Sequence, residues 1–88
     1  MEYNGYKNYN TWNIVLWLHN DERAYSILSR RAYIRKEGYK AWTATSAPRT
    51  VHTILEQCFG KPETPDGVKV SSKDIDWKEV AEALNENI

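Results

Sequence analysis

Residues Gly5 to Glu22, GYKNYNTWNIVLWLHNDE, constrain the fold more than any other part of this 88-residue chain. A polar stretch rich in Tyr and Asn runs into five consecutive apolar residues, Ile14 to Leu18, and closes on Asn20-Asp21-Glu22. The spacing predicts a first helix over Trp12 to His19. Leu16 follows Trp12 by four residues, Leu18 follows Ile14 by four, and Val15 and Trp17 fill the other sides. A helix apolar nearly all round is a buried one, so Trp12, Leu16 and Trp17 are expected as core anchors. A short β-strand over Ile14 to Leu18 competes, because so short an apolar run has no decisive period. The capped start and the polar exit favour helix. Asn10 or Thr11 is the expected N-cap, with Tyr9 before it stapling onto the first turn. Residues 1–10 then form an extended or turn-rich N-terminal arm that packs back on the helix.

The rest of the chain reads as three more helices. Asn20 or Asp21 can cap a second one, with acidic residues in the favourable first turn. Ala24, Tyr25, Ile27, Leu28, Ala32 and Tyr33 form its apolar stripe, Arg30, Arg31, Arg35 and Lys36 its basic end, and Gly38 its stop. Tyr39 to Pro48 is ambiguous between a helical turn and a loop. Ser46 as N-cap with Pro48 just inside predicts a third helix over about Pro48 to Phe59. Val51, Ile54, Leu55 and Cys58 share its inner face, and Gly60 ends it. Lys61 to Asp74 carries the turn signals Pro62, Pro65 and Asp66-Gly67, with a short strand or extended segment at Val68 to Val70. Asp76 and Glu79 make a capping-box-like pair that opens a last helix, with Ile75, Trp77, Val80, Ala81 and Leu84 facing inward. The expected fold is one small all-α domain, residues 1–88, built as a bundle of about four helices.

A chain of this length is near the lower limit for a self-sufficient core. Four Trp, six Tyr and one Phe compensate, since each aromatic buries roughly 150–250 Å²; aromatics beyond the needs of the core are interface candidates. Formal net charge is zero, which argues against both a dedicated non-specific DNA binder and a strongly acidic DNA mimic. The charges are nevertheless uneven: Met1 to Leu55 holds eight Lys and Arg against four Asp and Glu, and Glu56 to Ile88 the reverse. A single cysteine, Cys58, forms no internal disulfide and fits a reducing, cytoplasmic setting. The opening residues lack the basic and apolar regions of a signal peptide, and no apolar run approaches the ~20 residues that cross a bilayer.

Little in the chain points to catalysis. His52 and Glu56 stand one helical turn apart, but zinc normally takes three or four protein ligands. Cys58 beside Phe59 at a helix end reads as a small buried hydrophobe, where the dipole raises a thiol pKa. Asp21-Glu22, Asp74-Asp76 and the Glu79, Glu82, Glu86 ridge read as caps and a solvated face. No Gly-rich phosphate loop is present. The expected protein is therefore non-enzymatic, with no catalytic residue, no metal and no cofactor.

Two surfaces are candidates for binding. Tyr3, Tyr6 and Lys7 lie outside the first helix and offer an aromatic surface of the kind enriched at interfaces. Arg30, Arg31, Arg35 and Lys36, interleaved with Tyr33, Tyr39 and Trp42, could grip phosphates and stack bases across Arg30 to Lys40. A homo-oligomer burying spare aromatics between copies is a further reading.

The Asn8 to Asn13 segment, Asn-Tyr-x-Thr-Trp-Asn, resembles small proteins of bacteriophages, other mobile elements and cyanobacteria. The resemblance covers Gly5 to Glu22, with a weaker echo from Pro65 to Trp77. It implies a phage or mobile-element accessory protein and transfers no catalytic residue. The expected activity is binding a host or defence-system protein complex in the host cytoplasm, inhibiting or redirecting it in the manner of an anti-CRISPR inhibitor. Nucleic-acid binding through Arg30 to Lys40 is the alternative.

Overall fold

A computed structural model describes residues 2–37 and 41–86, with the backbone alone over 32–37. Asn8 opens the first helix. Its extended backbone (φ −156°, ψ 174°) lets its Oδ1 accept from the Thr11 amide at 2.9 Å, so α1 runs Tyr9–Asn20. The cap thus falls ahead of Asn10 and Thr11, and Tyr9 is the first helical residue rather than a staple. All three polar residues can cap. Asn8 prevails because the side chains of Asn10 and Thr11 are drawn into long-range bonds.

Asp21 makes the corner to the next helix by itself. Its N–H closes on the Trp17 carbonyl at 3.2 Å while its Oδ1 accepts from the Ala24 amide at 3.0 Å. The second helix, α2, follows at once as Glu22–Glu37; the expected stop at Gly38 lies outside the described residues. The third, α3, spans Ala47–Phe59, with Pro48 in its first turn and Gly60 beyond its end in the left-handed region at φ 83°, where glycine carries no steric penalty. Ser46 stands at the expected cap position but does not cap. Its hydroxyl instead accepts from the Thr43 amide at 3.0 Å. The fourth, α4, is Trp77–Asn85, and Asp76 Oδ1 caps it by accepting from the Lys78 and Glu79 amides. The capping box is only half formed, because the Glu79 carboxylate accepts from the Lys7 amide at 2.7 Å.

The two irregular stretches are built from tight turns. Near the N-terminus, Tyr3 and Tyr6 exchange backbone hydrogen bonds across Asn4 (φ 49°) and Gly5 (φ 88°), a two-residue turn with both central residues at positive φ. Between α3 and α4, the Thr64 amide bonds the Val68 carbonyl and the Val70 amide bonds the Pro62 carbonyl. No strand forms at Val68 to Val70. A single bridge joins Glu63 and Lys69, since Pro62 and Pro65 have no N–H to extend a ladder.

The four helices enclose one core. α1 packs on α2 and α4, and α3 packs on the same two helices. Ile14, Leu18, Leu28, Val51, Ile54, Leu55, Val80 and Leu84 are wholly buried. On α1 the inward stripe is Thr11, Ile14, Val15 and Leu18, at the three- and four-residue spacing of one helix face. Trp12, Leu16 and Trp17 flank that stripe and are only half-buried. The inner faces of α3 and α4 match the sequence reading, apart from a half-buried Trp77.

Candidate functional site

Most of the Asn8 to Asn13 segment is committed to holding the molecule together. Asn13, fully buried, accepts from the Thr64 hydroxyl at 2.7 Å and donates to Asp66 Oδ2 at 2.8 Å. The Trp17 indole N–H reaches the same carboxylate oxygen at 2.9 Å. These two donors, Asn13 first, hold the Asp66 carboxyl below its usual range, against the opposing effect of burial. Thr11, also fully buried, donates to Asn8 Oδ1 and accepts from the Asp76 amide. The Asn8 side-chain amide donates to the Asp74 carbonyl, and that of Asn10 to the Asp74 carboxylate. α1 is thereby laced to residues 64–76 along its length. No buried side-chain polar atom among the described residues lacks a partner, so the buried part of this seam is committed to the fold.

The aromatics beside the seam are a different matter. Tyr3, Tyr9 and Trp12 form a mutually packed triad, with ring centroids 4.8 Å apart for Tyr3–Trp12, 5.3 Å for Tyr3–Tyr9 and 5.6 Å for Tyr9–Trp12. Tyr3 and Tyr9 remain 40% and 41% exposed, far more than a core role requires. The tight turn at Asn4-Gly5 folds Tyr3 back onto α1. Of the three surface residues expected from sequence, only Tyr3 joins this patch. Tyr6 turns toward the core, where burial, then Glu86 and Glu79, push its phenol upward. Lys7 is exposed but spends its amide on Glu79. Tyr9 and Trp12, read from sequence as staple and core anchor, complete the triad. The missed signal was their i, i+3 spacing at a helix start, which sets both rings on one side.

Of the basic region, only Arg30, Arg31 and Trp42 have described side chains. Arg30 is exposed and Arg31 half-buried. Arg35 and Lys36 belong to α2, but their side chains lie outside the described residues, as do Tyr39 and Lys40 entirely. Trp42 is a core residue at 2% exposure, its indole N–H donating to Thr50 Oγ1 at 3.0 Å. Asn85 grips its backbone from both sides, accepting from the amide and donating to the carbonyl. Trp42 therefore offers no face for stacking. Arg23 is engaged internally, donating to the Cys58 carbonyl at 2.8 Å with its guanidinium 5.9 Å from the Phe59 ring. Arg31 instead faces Arg49, brought from α3, across an open cleft of about 440 Å³. Nothing local in the sequence links these two arginines; the packing of α2 on α3 does.

The groups with chemical potential do not gather into a site among the described residues. His52 Nε2 lies 3.7 Å from the Glu56 carboxylate on the exposed side of α3. No cluster of three or more His, Cys, Asp or Glu side chains gathers among the described residues. Cys58 is buried, and its thiol is pushed up by burial and by Asp21, against the pull of Arg23. A thiol raised in this way is a poor nucleophile at neutral pH. No helix among the described residues is long and apolar enough to cross a membrane.

No curated protein and no solved structure matches the chain significantly. A family model described as a family of unknown function (DUF7249) matches residues 1–88, all of the sequence, and the chain therefore belongs to that family.

Proposed function

We propose that this protein is a non-enzymatic binding protein whose Tyr3–Tyr9–Trp12 surface engages a protein partner. One observation carries the reading. Two tyrosines stay about 40% exposed in a mutually packed aromatic cluster, while the buried polar groups of the same segment are bonded internally. Tyr and Trp are enriched among the residues that dominate interface energetics, and a cluster already packed in the free protein loses little side-chain entropy on binding. Combined with the resemblance to small phage and mobile-element proteins, this suggests an accessory protein that works in the host cytoplasm. There it inhibits or redirects a host complex, with an antiviral defence complex of the anti-CRISPR-sensitive kind as the specific target class.

Nucleic-acid binding through Arg30 to Lys40 is a weaker reading, because Trp42 cannot stack and the chain has no net charge. The test is affinity purification of a tagged copy from nuclease-treated lysate of a candidate host, run beside the Tyr3→Ala, Tyr9→Ala double variant. A single complex retained by the parent and lost by the folded variant supports the proposal. Absence of any retained complex, or equal retention by the variant, would sink it.

A further inference from the structure

The cleft between α2 and the first turns of α3 is lined by Arg31, Thr45, Ser46, Arg49, Thr50 and Thr53. Two of these residues are cationic, four carry hydroxyls, and none is acidic. Neither guanidinium forms an ion pair or hydrogen bond with a described residue, although two cationic side chains lining one space repel each other. The Thr53 hydroxyl is spent on the Arg49 carbonyl, but two of the others are arranged as donors. Ser46 Oγ already accepts from the Thr43 amide and from the Thr43 hydroxyl, which leaves its own proton to give. Thr50 Oγ1 accepts from the Trp42 indole, with the same result. Among the described residues the lining is thus positive, supplied with O–H and N–H donors by Ser46, Thr50 and the two arginines, and without a carboxylate to compete.

We infer that this cleft is a binding site for a phosphoryl group. A guanidinium presents a planar fork of N–H donors that matches two oxygens of a phosphate. Two such forks and nearby hydroxyls satisfy a tetrahedral oxyanion better than the two coplanar oxygens of a carboxylate. The open cleft admits a free phosphate or pyrophosphate and equally a phosphodiester of a strand passing across it. The site is independent of the aromatic triad and stands whether or not that surface binds a partner.

Trp42 gives the site its own reporter, because its indole N–H bonds to a residue of the lining while Trp12, Trp17 and Trp77 lie elsewhere. The experiment is a ¹H–¹⁵N NMR titration at low salt with inorganic pyrophosphate. It is paired with fluorescence anisotropy of 5′-labelled single-stranded DNA and RNA 12-mers. Pyrophosphate should give saturable shifts at the Trp42 indole and at the backbone amides of Thr45, Ser46, Ala47, Arg49 and Thr50. Arg31→Gln and Arg49→Gln should each weaken binding by about tenfold, the usual worth of one charge-assisted pair, and Arg30→Gln by less than about twofold. Oligonucleotide binding lost in the same two variants identifies the phosphodiester source; saturation by pyrophosphate alone identifies the free anion. The Trp42 indole resonance of each unliganded variant verifies the fold. Absence of saturable shifts from every probe, or equal losses in Arg30→Gln and Arg31→Gln, overturns the site.

Discussion

Asn13 is the residue whose side chain carries most of the polar seam. Wholly buried, it bridges Thr64 and Asp66 from the middle of α1. Removing it strands the buried Thr64 hydroxyl and takes one of two donors from the exposed Asp66, and a buried polar group left unsatisfied costs about 1–3 kcal/mol. Asn13→Ala should therefore lower unfolding stability in urea by about 2–3 kcal/mol, while Asn10→Ala, whose bond to Asp74 is solvent-exposed, should change it by less than about 0.5 kcal/mol. Equal effects would refute the ranking. Asp66 adds a pH dependence. Because its folded carboxyl titrates below the ordinary value, held down by Asn13 and Trp17, its contribution is fully present above the unfolded carboxylate pKa of about 4. It disappears as pH falls through the lower folded value. The stability difference between the parent and Asp66→Asn should accordingly shrink below about pH 4. A difference constant from pH 7 to pH 3 would contradict the assignment. None of this was legible in the sequence, because Thr64 and Asp66 lie about fifty positions from Asn13.

At the scale of elements, the sequence located helices better than it located caps. Pro48 and Gly60 bracketed α3, and Asp76 marked α4, because proline and glycine constrain φ and aspartate caps locally whatever the tertiary surroundings. Asn8 was overlooked because several neighbouring residues were equally able to cap, and the choice among them rests on Asp74 and Asp76. Trp42 was misplaced for a related reason. The segment before Ser46 has no period, and only Asn85 and Thr50 reveal it as buried. The caps themselves differ in strength. Asp76→Ala loses two amide bonds to its carboxylate and should destabilise by about 1–2 kcal/mol. Ser46→Ala loses no helix cap and should cost less than about 0.5 kcal/mol. Chemical denaturation of the two variants side by side decides between this ordering and the sequence-based expectation that both residues cap.

The whole molecule is small, and its core has little redundancy. Leu18 and Ile54 are fully buried on different helices, and truncating a buried Leu or Ile to Ala typically costs about 2–5 kcal/mol. That is a large share of the ~5–15 kcal/mol that stabilises a domain. Leu18→Ala should drop the thermal midpoint by at least about 8 °C in calorimetry; a shift of a degree or two would mean the site collapses around the loss. Charge segregation along the sequence did not foretell a split molecule. α1 and α2 from the basic half pack directly on α4 from the acidic half, and Glu79 meets Lys7 across 72 positions. The lacing of α1 to residues 64–76 also governs how the chain must mature during synthesis. Residues 8–13 leave the ribosome first, yet their partners follow 51 to 66 residues later. At roughly 5–20 residues per second that is a delay on the order of 3–13 s. Throughout it Ile14, Val15 and Leu18, buried in the finished protein, are without their C-terminal cover.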